Sequence, residues 1–186
     1  MRVTREQTAV HRETILDAAG TLFRERGYDG IGVADIMKCA GLTHGGFYGH
    51  FASKEELAAE ITARILGPEG WLERLTGAPN PSIGDVVRKY LSPRHRDDAG
   101  HGCLFAALGS EVVRQPRSVR RAFTDGLRAR IEALQSVLLG RTAARRRKAL
   151  ATMAGLVGAL ILSRAVDDPK LSNEILQAAA ATLVRL

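Results

Sequence analysis

Runs rich in Val, Ile, Thr and aromatic residues with period-two alternation are missing from this sequence, and with them any case for a β-sheet. Aromatic residues make up only 5% of the 186 residues, which leaves the core to aliphatic side chains. Cysteine occurs twice, at Cys39 and Cys103, which gives neither a disulfide framework nor a zinc-ligand spacing. No apolar segment of the secretory kind follows Met1, and the apolar stretch at 153–162 is too short to span a bilayer. A nucleophile elbow, a His-Glu-x-x-His pair, a phosphate loop and a dinucleotide fingerprint are all lacking. The expectation is a cytoplasmic protein that is not an enzyme, holds no metal or cofactor, and has no membrane partner.

What is present points to helices. Hydrophobic residues reach 45%, enough for a sizeable core, and Ala, Leu and Arg, all strong helix formers, abound. The formal charge is +7, which favours an anionic partner such as nucleic acid. Yet between Met1 and Lys54 seven basic residues face six acidic ones, so the first third is nearly neutral. Most of the surplus lies later, including Arg145, Arg146, Arg147 and Lys148, which read as a solvated face near a helix start. Charge alone does not locate a binding surface. Local pattern must.

Over residues 4–26, Ile15, Ala18, Ala19, Leu22 and Phe23 fall on one face of an amphipathic helix that Gly27 closes. A second helix carries Val33, Ile36, Met37 and Ala40 inward, with Cys39 read as core, and Gly41-Leu42 turns the chain. Thr43 can N-cap a third helix through Phe51 that buries Phe47 and Phe51. Ser53 and Glu56 form a capping box for a fourth helix, whose inward stripe is Leu57, Ile61 and Ile65. Beyond the breaks at 67–68 and 77–81, helices are expected near 82–91, 103–115, 118–139, 142–166 and 172–186. Pro93, Pro116, Gly140 and Pro169 read as punctuation between them. The fold class is all-α, with a helix-turn-helix head expected over residues 1–65 and a helical body over 66–186.

The third helix has unusual content, because His44-Gly45-Gly46 opens it. Two glycines near a helix start cost roughly 1 kcal/mol each relative to alanine. Absent side chains let a backbone approach a base edge closely. Tyr48, His50 and Lys54 point off the core face and can donate to phosphates, although His50 beside Phe51 could equally pack over the helix end. The run Gly27-Tyr28, Asp35-Ile36-Met37, Ala40-Gly41-Leu42-Thr43 and Gly46-Phe47-Tyr48 through His50-Phe51 to Ser53-Lys54-Glu55-Glu56-Leu57 resembles the TetR family DNA-binding domain over about residues 12–57. The resemblance implies that Thr43, His44, Gly45, Gly46, Tyr48, His50 and Lys54 line the DNA face or hold phosphates. One departure stands out: the family often opens its second helix with a Thr or Ser that touches a phosphate, and here Gly30-Ile31-Gly32-Val33 offers no such side chain.

The body resembles the family more loosely, through Tyr90-Leu91-Ser92-Pro93, Gly102-Cys103 and Ala106 to Val112. That resemblance implies an inducer held among the helices and dimerisation through the last two. Trp71, Tyr90, Cys103, Phe105, Phe123 and Met153 are the candidate pocket residues, with ordinary core as their alternative. Cys103 reads either as a small buried hydrophobe or as a thiol activated by a helix start and nearby His101. Arg164 and Glu111 continue apolar stripes and read as reaching out to solvent. Residues 150–161 are apolar around much of the helix, so burial is needed on more than one side. The candidate dimer contacts are Leu156, Leu160, Ile161, Ile175, Ala179 and Leu183, and the partners implied are double-stranded DNA, a second copy and a small apolar inducer. The leading expectation is a repressor on a palindromic operator, released by that inducer. A sequence-indifferent DNA-packaging protein would need neither the glycine-opened helix nor the apolar body.

Overall fold

The computed structural model describes residues 4–185, and among them ten α-helices and two 3₁₀ segments occur with no strand. Helix α1 (Arg5–Arg26) opens on a capping box in which Thr4 Oγ1 accepts from the Gln7 N–H and Gln7 Oε1 accepts from the Thr4 N–H. Gly27 ends it at φ +81°, a backbone that L side chains rarely adopt. Helix α2 (Val33–Cys39) starts at Gly32, whose N–H donates to Asp35 Oδ2 at 2.9 Å. It buries Ile36 and Met37. Cys39, expected in the core, is exposed, because so short a helix covers only its Val33–Ile36–Met37–Ala40 side.

A 3₁₀ turn (His44–Gly49) follows, then α3 (Lys54–Ile65). Ser53 Oγ accepts from the Glu56 N–H as the capping pattern requires, but the Glu56 carboxylate accepts from Ala52 N–H, one residue further back than a capping box would place it. Arg12 clamps α1 to α3 by a bidentate pair with Glu60 at 2.6 and 2.5 Å, and its guanidinium lies 4.7 Å from the centre of the Phe51 ring.

In the body the chain forms α4 (Trp71–Thr76), α5 (Ile83–Tyr90), α6 (Pro93–Asp97), α7 (Leu104–Leu108), a 3₁₀ segment (Val112–Arg114), α8 (Arg117–Val137), α9 (Thr142–Ala165) and α10 (Pro169–Leu183). Three findings depart from the periodicity. Pro93 and Pro169 start helices rather than separate them, since a proline in the first turn has no needed N–H to lose, and Ser92 and Asp168 cap them. The helix expected at 103–115 breaks after Leu108, where Gly109-Ser110 interrupts it. Helix α10 therefore begins three residues early, and the last residue expected in it, Leu186, lies outside the described residues.

Helix α9 runs 24 residues and holds a window of mean hydropathy 1.3, so by length and composition alone it could cross a bilayer, unlike the shorter stretch read from the sequence. Here it packs against α7, α8 and α10. Helix α8 crosses the end of α3 so closely that a Cβ on Gly126 would sit 2.3 Å from Leu66 Cβ. Head and body share one continuous core, from Ile15, Phe23 and Leu57 through Leu104 and Ile131 to Met153. Glu111 also joins them: its carboxylate accepts from the Tyr28 N–H at 2.8 Å instead of reaching solvent.

Candidate nucleic-acid interface and body cavity

The turn at His44–Gly49 presents a run of exposed glycine and polar residues on a buried anchor. Phe47 is that anchor, fully buried, and its carbonyl accepts from both His50 and Phe51 N–H groups. The shared acceptor tightens the segment into a 3₁₀ turn where a longer helix was expected. Edge-on packing against Phe47 holds Tyr48 outward, 65% exposed, with His44 edge-on to its other side at 6.4 Å. Thr43 is exposed and its side chain makes no capping bond.

Gly45 and Gly49 are the informative pair. A Cβ at either would meet nothing within 4 Å, and neither has a positive φ. Neither packing nor backbone conformation asks for glycine there. Gly46 is half-buried, with Met37 and Thr43 at ordinary contact distance from its absent Cβ. So Thr43, His44, Gly45, Gly46 and Tyr48 come together on one surface. Gly49 belongs with them and was overlooked, although its lack of a side chain repeats the signal of Gly45.

His50 and Lys54 are placed differently. The His50 ring lies edge-on to His11 at 6.3 Å, half-buried against α1. Desolvation first, then the His11 and Arg12 charges, lower its pKa, so the ring is neutral. Lys54 donates from Nζ to the Ile31 carbonyl at 2.5 Å, which ties the start of α3 to the loop before α2. Both residues brace the turn rather than project from it.

The body holds a cavity of about 650 Å³ between α3, α4, α5, α6, α7, α8 and α9. Trp71, Tyr90, Cys103, Phe105 and Met153 all line it. Phe123 does not line it; its ring packs edge-on against Phe105 at 4.9 Å. His95 is fixed as the neutral Nδ1–H tautomer, because Nδ1 must donate to the Tyr90 carbonyl (2.6 Å) and Nε2 must accept from Cys103 N–H (3.1 Å). Its pKa is lowered, chiefly by burial. Burial likewise pushes the Cys103 thiol up, and His101 turns away to Asp98. Cys103 thus keeps its proton and fits the small-hydrophobe alternative. Arg164, expected to reach solvent, instead donates to the carbonyls of His95 and Arg96.

A cavity residue the sequence pattern missed is Arg130, buried on the inward side of α8. Its position, four residues after Gly126, was the available signal, but arginines on apolar stripes usually reach outward.

The expected dimer contacts divide. Leu156, Leu160 and Leu183 are buried between α9 and α10 of a single chain, so they cannot face a partner. Ile175 and Ala179 are half-buried, and Ile161 is exposed. The outward apolar face instead carries Leu150, Ile161 and Leu162 of α9 and Leu171 of α10, around Gly158, whose missing Cβ opens on free space.

A sequence model described as bacterial regulatory proteins, tetR family, matches residues 15–61. The HTH-type transcriptional repressor NemR of Escherichia coli K12 is 28% identical over 134 residues, 68% of this chain and 66% of that protein. The match therefore spans slightly less than two thirds of the length of NemR. The HTH-type transcriptional repressor KstR2 of Mycolicibacterium smegmatis is 40% identical over 63 residues, 34% of this chain and 31% of its own. In three dimensions the reduced form of Escherichia coli NemR superposes with a TM-score of 0.77 at 23% identity, covering 95% of this chain and 96% of that one. A TetR family regulator from Agrobacterium tumefaciens gives 0.77 at 23%, covering 96% and 97%. Residues 15–61 thus match the model of the tetR family of bacterial regulatory proteins, and the whole length shares the fold of solved TetR family regulators.

Proposed function

We propose that this protein is a transcriptional repressor in the cytoplasm that grips a palindromic operator as a homodimer and lets go when a small molecule fills the body cavity. Regulators rather than enzymes are its relatives. The observation that carries the DNA reading is the exposed turn at His44–Gly49, where two glycines serve nothing within the chain. Backbone stripped of side chains at 45 and 49 fits close approach to base edges, with Thr43, His44 and Tyr48 as the flanking donors. His50 and Lys54 position that turn. Residues 1–65 form the DNA-binding part and 66–186 the regulatory and dimerisation part.

Coupling follows from Arg130, which donates to the carbonyls of Ile65 and Gly67 at the end of α3, the last helix of the head. Leu66 at that same end is a wall of the cavity. A ligand there displaces the end of α3 and with it the two heads of a dimer, whose spacing must match grooves about 34–36 Å apart or a multiple of it. Coupling of roughly 1–3 kcal/mol suffices.

Tyr48→Phe should weaken binding to a random-sequence duplex by about three- to tenfold, the worth of one phosphate hydrogen bond, without changing base preference. Lys54→Ala should leave the slope of log K against log salt unchanged, since its ammonium is engaged by Ile31 rather than by a phosphate. Fluorescence anisotropy at several salt concentrations checks both. Unaltered affinity in Tyr48→Phe would remove this turn from the DNA face.

A further inference from the structure

We propose that the body cavity takes an organic carboxylate with an apolar body, its acid group seated against Arg130 and Tyr90. This rests on the reading of the cavity as the ligand site, and it departs from the purely apolar inducer expected from the sequence.

One buried charge in the cavity wall has no counter-charge. Arg130 is only 3% exposed, and a guanidinium stays ionised in proteins. Buried ions are ordinarily paired. Among the described residues no carboxylate makes an ion pair with it, and the titratable groups that act on it are Arg74, Cys103 and Tyr90, none of them a carboxylate. Burial, together with the repulsion of Arg74, pushes its pKa down to about 10. Two carbonyls, of Ile65 and Gly67, take hydrogen bonds from it at 3.3 and 2.9 Å. A guanidinium has five N–H donors, so further donors remain. The Trp71 ring, centred 5.0 Å away, covers one face and leaves the edge as the place for a ligand.

A second orphan lines the same cavity. Tyr90 is buried, and its hydroxyl makes no hydrogen bond among the described residues, with only the weakly bonding Cys103 thiol beside it. A buried donor of this kind is costly to leave unsatisfied. A neutral apolar ligand would leave both groups unpaired. A cation would meet Arg130 within and the exposed Arg74, Lys89 and Arg94 among the lining residues, against the one lining carboxylate, Asp98, which His101 already engages. A carboxylate answers both orphans at once, accepting from the guanidinium edge and from the phenol. A small inorganic anion would leave the walls of Leu66, Trp71, Leu75, Phe105 and Met153 unfilled. The volume of about 650 Å³ lies within the range of roughly 300–1,000 Å³ usual for small-molecule sites.

The chain has one tryptophan, and it is Trp71, so intrinsic fluorescence reports from the cavity wall itself. Decanoate and decan-1-ol, matched in chain length and differing in the charged head, are titrated into the full-length protein without DNA. Decanoate should bind saturably and at least about tenfold more tightly than the alcohol. Arg130→Gln should weaken decanoate at least about tenfold and leave the alcohol unchanged. Tyr90→Phe, which keeps the ring and removes only the hydroxyl, should weaken decanoate severalfold and serves if Arg130→Gln does not fold. Equal binding of both compounds, or decanoate affinity indifferent to Tyr90→Phe and Arg130→Gln, overturns the acid class while the cavity remains a ligand site. Binding of neither overturns both readings. Decanoate that binds as expected but fails to release DNA in a separate anisotropy assay upholds the acid site and overturns only ligand-driven release.

Discussion

Ile161→Glu should give folded monomers, while the same substitution one residue earlier, at Leu160, should unfold the protomer. Ile161 is 41% exposed on the outward face of α9, beside Leu162 at 56% and the open space at Gly158. A lone chain can solvate a carboxylate there. In a twofold dimer the same carboxylate is buried without a partner, at a cost of several kcal/mol, and symmetry imposes it twice. Leu160 has no exposed surface at all, because it packs with Leu156, Leu176 and Leu183 inside one chain. Its replacement therefore tests the core, not the interface. Sedimentation with circular dichroism separates the two outcomes. If Ile161→Glu and Leu162→Glu both remain dimeric, the subunits meet elsewhere.

Gly45→Leu should abolish specific DNA binding and leave the folded protein as stable as before. The new side chain would enter empty space, and replacing a glycine that has no positive φ removes freedom from the unfolded chain, worth about 0.4–1 kcal/mol. On DNA the same side chain would stand between backbone and base edges. Specific affinity should drop toward the non-specific level, a loss of about 10³-fold or more. Thermal melting and operator titration of one preparation check both halves. A lower melting temperature with DNA preference intact would mean that glycine serves the fold.

Local signals carried much of this architecture in the sequence. The apolar face and closing glycine of α1, the Ser53 cap of α3 and the turn between α2 and Thr43 are written in a few adjacent residues. The DNA-facing turn was legible for the same reason: Gly45 and Tyr48 sit beside a periodic anchor at Phe47. Long-range contacts were not. Lys54 looks like a free phosphate donor until the Ile31 carbonyl, 23 residues earlier, is placed beside it. His50 likewise meets His11 only once α1 is packed. Apolar periodicity showed that α9 needs burial on two sides but could not say which side belongs to its own chain. By pattern alone Leu156 and Leu160 read as contacts with a partner, although both are fully buried within one chain. Pro93 and Pro169 show a different ambiguity, since proline marks a helix start as readily as its end. Arg130 stayed hidden because sequence alone cannot separate an arginine that reaches outward from one held inside.

Two heads, each using the turn at His44–Gly49, should read a specific inverted repeat. Selection of fragmented genomic DNA from the source organism by the purified protein, followed by sequencing of what is retained, tests it most directly. A few strongly enriched fragments should share an inverted repeat, with half-site centres one helical turn, about 34–36 Å, or a multiple of it apart. Retained fragments that sample the genome evenly, with no shared repeat, would contradict it.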